Sequence, residues 1–168
     1  MAMISKDQAL LRIKTGKDLE GVDLSGLELR EIKFAKALLK GAKLTRVDMT
    51  QSDLNGADLR EVDLRDAIMC GSDLRDALLQ EANLSGADLR DANLINANLR
   101  NANLEKSKLS GSELDKADTE GATTTGIIYE EFVNKVSSNA KKLQKKSNFP
   151  GEDFSGANAS GVNFSESN

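Results

Sequence analysis

The chain has no histidine and no tryptophan, one cysteine, one proline, and aromatic side chains at only 4% of its 168 positions. Each shortage removes something. Without histidine, the usual general base, the partner of most nucleophiles and the commonest metal ligand are missing. The single Cys70 can neither close an internal disulfide nor build a thiolate zinc site, and it is compatible with a reducing compartment. No apolar run reaches membrane-spanning length, and the opening "MAMISKDQALLRIKTG" has no apolar stretch of signal length. A cytoplasmic protein is the expectation, with secretion by a route without a cleaved signal left open. An excess of one charge is also lacking: 23 Lys and Arg stand against 27 Asp and Glu, net −4. A clustered basic surface, the footprint of nucleic-acid binding, is therefore not expected. Phosphate loops, dinucleotide fingerprints and nucleophile elbows do not occur. The reading is of a protein that is not an enzyme, with no catalytic, metal or cofactor site.

What the sequence does have is a period. In "EANLSGADLRDANLINANLRNANL", residues 81 to 104, leucine returns every fifth residue with alanine two places ahead of it. The frame of centres runs from Leu19 through Leu24, Leu29, Phe34, Leu39, Leu44 and Met49 to Leu109 and Leu114, twenty centres without an insertion. Thr119 and Thr124 continue it with polar centres. The remaining three places are mostly Asp, Asn, Arg, Lys, Glu, Ser or Gly.

Neither a helix nor a flat strand has a period of five. Alternation puts the Ala and the Leu on one side of an extended chain, so the polar places between must hold a change of direction. A chain that turns the same way every five residues closes on itself and climbs. Each inward side chain then stacks on its counterpart in the coil below, with backbone pairing at about 4.8 Å. An inserted residue would turn a polar group inward, as a register slip does in any sheet. The unbroken frame therefore points to a solenoid whose leucines are core.

The pentads "ADLRD", "ANLIN", "ANLRN" and "ANLSG" resemble the signature A-(D/N)-L-x-x of the pentapeptide-repeat proteins, over about residues 17–126. That resemblance implies an all-β solenoid, a right-handed quadrilateral β-helix with four pentads per coil. The repeat region would make about five and a half coils, a rod of about 26 Å, with stacks of residues twenty apart such as Leu24, Leu44, Leu64, Leu84 and Leu104.

A solenoid has two ends to cover. At residues 1–16, Ser5-Lys6-Asp7-Gln8 matches a capping box, predicting a short helix over 5–15 that lays Leu10, Leu11 and Ile13 near the first coil. At residues 127–146, Tyr129, Phe132, Val133, Val136, Ala140 and Leu143 recur at helical spacing, predicting an amphipathic C-terminal helix. Its apolar stripe reads as a cap over the last coil or as a homodimer surface. Residues 147–168 then resume the period with centres Phe149, Phe154, Ala159 and Phe164, one coil's worth. Such a coil could fold back, pair with a second copy of the chain, or begin a further solenoid.

Function is then left to the surface. Linear neighbours Asp53, Asp58, Asp63, Asp73 and Asp88 read as turn and exterior positions facing different sides, and Cys70, one place after Met69, reads as exposed. Residues 17–126 hold 21 acidic and 15 basic side chains. The face centred on Leu19, Leu39, Leu59, Leu79, Leu99 and Thr119 carries net −4, the most of the four. Its acidic members are Asp18, Glu20, Asp58, Glu61, Glu81, Asp118 and Glu120, interleaved with Lys40, Arg60 and Arg100. The family resembled includes proteins that protect DNA gyrase or topoisomerase by imitating DNA. Duplex DNA carries about fifteen charges over a ~26 Å rod, so four are a poor imitation. The reading preferred is a non-enzymatic binding or scaffold module for a protein partner, in the setting of a larger bacterial protein linked to secretion or regulation. The gyrase-directed DNA mimic is the alternative. Leu38 and Leu78 on that same face, Ile68 on another and Ile95 on a third are apolar at outward places.

Overall fold

A backbone that turns every five residues has five N–H groups per pentad to satisfy, and the fold is best understood by finding where each of them goes. The structure, a computed structural model, describes residues 3–15 and 18–128. Within them the frame is kept throughout. Parallel bridges join residues twenty apart in four ladders: Asp23, Lys43, Asp63, Asn83, Asn103 and Thr123 form one, and Glu28, Asp48, Ile68, Asp88, Lys108 and Ile128 another. Lys33, Asp53, Asp73 and Asn93 form the third; Leu38, Asp58, Leu78, Asn98 and Asp118 form the fourth. Twenty residues per coil and four ladders define a quadrilateral β-helix. Its strands are so short that each rung is an isolated bridge.

Leu64 and its neighbours show the accounting. The centre's own amide donates to the coil above, Leu64 N to Asn83 O at 2.8 Å. The amide two places on does the same, Asp66 N to Ser85 O at 3.0 Å. The amide just before the centre reaches the coil below, Asp63 N to Ala42 O at 3.0 Å. The amide three places on closes a turn, Ala67 N to Leu64 O at 3.0 Å. That leaves the amide immediately after the centre, and the side chain just before the centre takes it: Arg65 N donates to Asp63 Oδ1 at 3.3 Å. The same bond recurs at Asp23, Asp48, Asp53, Asp58, Asp73, Asn83, Asp88, Asn93, Asn98, Asn103 and Asp118. An Asx carbonyl two residues back mimics a backbone turn. This is why the repeat asks for Asp or Asn before its leucine.

The turn sets the other preference. Its third residue has positive φ at every fifth position from Gly21 to Gly111, between 55° and 72°. Glycine fills many of these places, but Glu31, Gln51, Asp66, Asn101 and others also adopt the left-handed conformation. An L side chain there costs about 1–2 kcal/mol. Gly86 has a second reason to be glycine, since a Cβ on it would lie 2.5 Å from Asp66 Oδ1 in the coil below. Around Gly41 there is open space. Gly41→Ala is therefore expected to lower the unfolding free energy by about 1–2 kcal/mol and Gly86→Ala by more, as read by urea denaturation of the two variants.

The centres from Leu19 to Leu109 are 1% exposed or less, as are Ala57, Ala67, Ala77, Ala82, Ala87, Ala92, Ala97 and Ala102. Helix α1, Lys6–Lys14, begins at a full capping box: Gln8 N donates to Ser5 Oγ at 3.2 Å, and Ser5 N to Gln8 Oε1 at 2.9 Å. The residue that α1 buries completely is Ala9, with Ile13 packed beside the core. Leu10 is half-buried, whereas Leu11, expected near the first coil, is 61% exposed because it lies on the opposite side of the helix from Ala9. One rung precedes the helix: Met3 bridges Asp23, and Ile4, 8% exposed, stacks in the frame. The only departure from the turn pattern among the described residues is a single 3₁₀ turn, Leu114–Lys116. There Glu113 N reaches Ala92 O at 3.4 Å, longer than its counterparts. The expected helix with Tyr129, Phe132, Val133, Val136 and Leu143, and the resumed pentads with Phe149, Phe154 and Phe164, lie outside the described residues.

Candidate partner surface

The corner residues that follow each centre stack in columns along the rod. On the face centred on Leu39, Leu59, Leu79 and Leu99 this column is Lys40, Arg60, Gln80 and Arg100, with Glu20 and Glu120 at its ends. The cations in it engage most of the acidic residues that the sequence assigned to a partner-facing stripe. Arg60 clamps Asp58 with two bonds, Nε to Oδ1 at 2.8 Å and Nη2 to Oδ2 at 2.6 Å. Lys40 pairs with Glu61 at 3.0 Å, and Arg100 bridges Asp118 at 3.2 Å and also Glu120. Glu20 contributes to the field at Arg60. Glu81 is exposed and has no cation partner among the described residues. Asp18 is exposed at the front end, where it joins Met3, Leu11 and Arg12 in lining a groove of about 780 Å³ beside α1.

Asp58 is the clearest departure from the sequence reading. Taken as outward, it is only 9% exposed, because its side chain folds back to cap the amide of Arg60 and to accept that residue's guanidinium. The Arg60 bond holds its carboxyl below the usual range despite burial. Asp63 with Arg65 and Asp73 with Arg75 repeat the arrangement on two other faces, each carboxyl lowered first by its arginine. Asp88 with Arg90 is the extreme member, pulled down to about 2 by the Arg90 bond, with Cys70 adding to the effect. At Asp48 burial pushes the other way, but bonds from Thr50 and Arg30 outweigh it. The linear carboxylate cluster is thus dispersed as expected: Asp53 and Asp73 share a ladder, and Asp58, Asp63 and Asp88 stand on the other three.

Cys70 is half-buried rather than exposed, because its thiol tucks against the coil above, 3.9 Å from Asp88 O. Burial pushes that thiol up. Among the described residues no group of three or more His, Cys, Asp or Glu could hold a metal ion, and no helix is long and apolar enough to cross a membrane.

A few large apolar side chains are also exposed on the faces of the rod. Leu38 is 49% exposed and Leu78 37%, and each bridges Asp58 from either side. Ile68 and Ile128, both 41% exposed, occupy the same ladder on another face. These residues stand where other pentads have Asp or Asn, so each replaces a capping side chain with an exposed hydrocarbon. Ile95 occupies a corner position after Leu94 on a further face.

A profile of pentapeptide repeats matches the sequence in eight copies, over residues 18–56, 57–94, 87–122 and 145–168. The chain belongs to the pentapeptide-repeat family. Membership implies that the quadrilateral β-helix is right-handed. The chain is similar to the pentapeptide-repeat protein alr5209 from Nostoc PCC 7120, with 24% identity over 76% of this chain and 98% of that one, at a TM-score of 0.55. Rfr23, a pentapeptide-repeat protein from the cyanobacterium Cyanothece 51142, is 27% identical over 75% of this chain and 100% of its own, at a TM-score of 0.47. QnrB1, a plasmid-mediated fluoroquinolone resistance protein, is 16% identical over 72% of this chain and 81% of its own, at a TM-score of 0.46. None of the curated proteins matches the sequence.

Proposed function

We propose that this pentapeptide-repeat chain is a non-enzymatic scaffold that presents one face of a rigid rod to a protein partner. The observation that carries this reading is the row Leu38, Asp58 and Leu78: two exposed leucines two coils apart, with a carboxylate neutralised by Arg60 between them. At about 4.8 Å per coil the leucines stand about 10 Å apart, a spacing fixed by the ladder on which they sit. Each forgoes the Asx cap that the repeat otherwise favours, and apolar side chains held at fixed spacing with satisfied polar neighbours are the composition of an interface core. Solenoids display contacts in this way because each coil is braced by the ones beside it.

The experiment is cross-linking capture from extract of the source cells, run in parallel with native protein and with the L38K/L78K variant. The partner is expected on the native chain and to be lost from the variant, whose thermal unfolding stays within a few degrees of native. Equal capture by both would remove this face from the proposal.

The second reading is a DNA mimic that binds and protects or inhibits DNA gyrase or topoisomerase. The net −4 of the same face favours it, and the fluoroquinolone resistance in the description of QnrB1 accords with it. Against it stand the ion pairs that Lys40, Arg60 and Arg100 make with four of that face's acidic residues. A carboxylate shared with a guanidinium contributes little to a field felt at a distance.

A further inference from the structure

The two exposed leucines of the partner row stand in different electrostatic surroundings. Two places before Leu38, at the corner, is Lys36, exposed and in no ion pair among the described residues. Two places after it is Lys40, which pairs with Glu61 at 3.0 Å. Two coils on, Asp76 holds the corner before Leu78 and Glu81 the corner after it, both exposed. Asp76 accepts from Asn96 Nδ2 at 3.2 Å, while Arg75, which feels its charge, is bound to Asp73. Neither Asp76 nor Glu81 is in an ion pair among the described residues. Gln80 stands in this coil where Arg60 and Arg100 stand in the neighbouring ones, so the corner after Leu78 supplies no cation. In the coil between the leucines, Asp58 and Arg60 neutralise each other. Leu38 is therefore set beside an unpaired positive charge and Leu78 beside two negative ones, with a neutral coil between them.

We propose, resting on the reading of this row as a partner face, that the partner presents one amphipathic α-helix laid along the rod axis, acidic over Leu38 and basic over Leu78. The spacing decides the element. Two coils put the leucines about 10 Å apart. A helix returns a side chain to the same face after two turns, seven residues or about 10.5 Å. Along an extended strand, side chains on one side recur at about 6.6 and 13 Å, and both miss. A strand laid the other way, along a coil, meets only one leucine. The helix residue one turn on from the first apolar contact comes over Asp58 and Arg60, and it is polar, because an apolar one would strip water from their charged groups. Charge fixes the ends: Asp or Glu over Lys36 and Lys40, Lys or Arg over Asp76 and Glu81. Helices favour acidic residues in the first turn and basic ones in the last, so the helix N-terminus comes to Leu38.

The test uses two helical peptides, each stapled on the side away from the rod, with two leucines seven residues apart and glutamines one turn in from each. One carries Glu in its first turn and Lys in its last; its twin has the two exchanged. Binding to the full chain is read by fluorescence anisotropy at low and high salt. The first peptide is expected to bind at least fivefold more tightly than its twin at low salt, with the preference shrinking at high salt. In K36E/E81K the preference inverts, and in L38K/L78K both peptides bind at least tenfold more weakly. Circular dichroism melts establish that both variants are folded. Failure of both peptides to bind at millimolar concentration overturns the proposal. Equal affinity of the twins at low salt overturns it too, as does binding untouched by L38K/L78K. The partner face is judged separately by the capture from extract. Capture that is lost in L38K/L78K and displaced by the first peptide supports the helix. Capture lost in L38K/L78K but undiminished by that peptide keeps the face and overturns the helix. Capture equal for native and variant fails the face, and the helix with it.

Discussion

Replacing Leu64 with alanine is expected to lower the unfolding free energy by about 2–5 kcal/mol, and Leu64→Asp is expected to leave no cooperative transition. Leu64 is 0% exposed and lies in a stack with Leu24, Leu44, Leu84 and Leu104, all equally buried. Its loss leaves a void against the coils above and below, which cannot collapse because their separation is set by backbone bonds such as Leu64 N to Asn83 O. Aspartate there would bury a charge with no partner. Each coil is braced by its neighbours, so damage at the middle uncouples the two halves of the rod. Arg46→Ala, on a side chain 81% exposed, is expected to change stability by about 0.5 kcal/mol or less. Urea denaturation followed by far-ultraviolet circular dichroism reads all three variants, and a Leu64→Ala protein as stable as native would contradict the stacked core.

The second large effect is on acid stability, and it separates the two tasks of the residue before each centre. Asp88 caps the amide of Arg90 and also binds its guanidinium, Nε to Oδ1 at 2.8 Å and Nη2 to Oδ2 at 2.7 Å. With its carboxyl drawn from 3.8 down to about 2, the folded state binds its proton less readily than the unfolded chain. The stability this gives is complete above pH 3.8 and is lost as the pH falls toward 2, amounting to roughly 2 kcal/mol. Asp48, Asp58, Asp63 and Asp73 are lowered as well and add to the same trend. Asp88→Asn keeps an acceptor for the Arg90 amide, as Asn83 and Asn98 do for theirs, but removes the charge. It is expected to be less stable than native at pH 7 and to lose less on going to pH 2.5. Asp88→Ala loses the cap too and is expected to fall a further ~1 kcal/mol at pH 7. Denaturation midpoints at the two pH values test this; identical pH slopes for native and Asp88→Asn would show that the pairing contributes nothing.

These two predictions also mark what could be read from the sequence and what could not. The leucine frame sufficed for a solenoid with stacks twenty apart, because a period of five without insertions has few physical solutions. The role of the aspartates was hidden. In the sequence Asp63 and Asp88 are polar residues at a turn. Only closing the backbone count shows that one amide per pentad has no backbone acceptor and that these side chains supply one. The acidic face was legible as composition but not as electrostatics, since the ion pairs of Arg60 and Arg100 depend on which way a corner side chain lies. Met3 and Ile4 were missed as a rung because α1 separates them from the continuous frame. The 3₁₀ turn at Leu114–Lys116 was not legible in the sequence, because the frame of five runs through it without a slip.

The measurement that bears most directly on the functional account is DNA supercoiling by purified gyrase, titrated with this protein with and without a fluoroquinolone. A scaffold whose acidic face keeps only net −4, with Asp58, Glu61, Asp118 and Glu120 paired to Lys40, Arg60 and Arg100, is expected to leave supercoiling and drug-induced cleavage unchanged at tenfold molar excess over the enzyme. Protection from the drug or inhibition of supercoiling that rises with protein concentration would contradict it and establish the DNA-mimic reading instead.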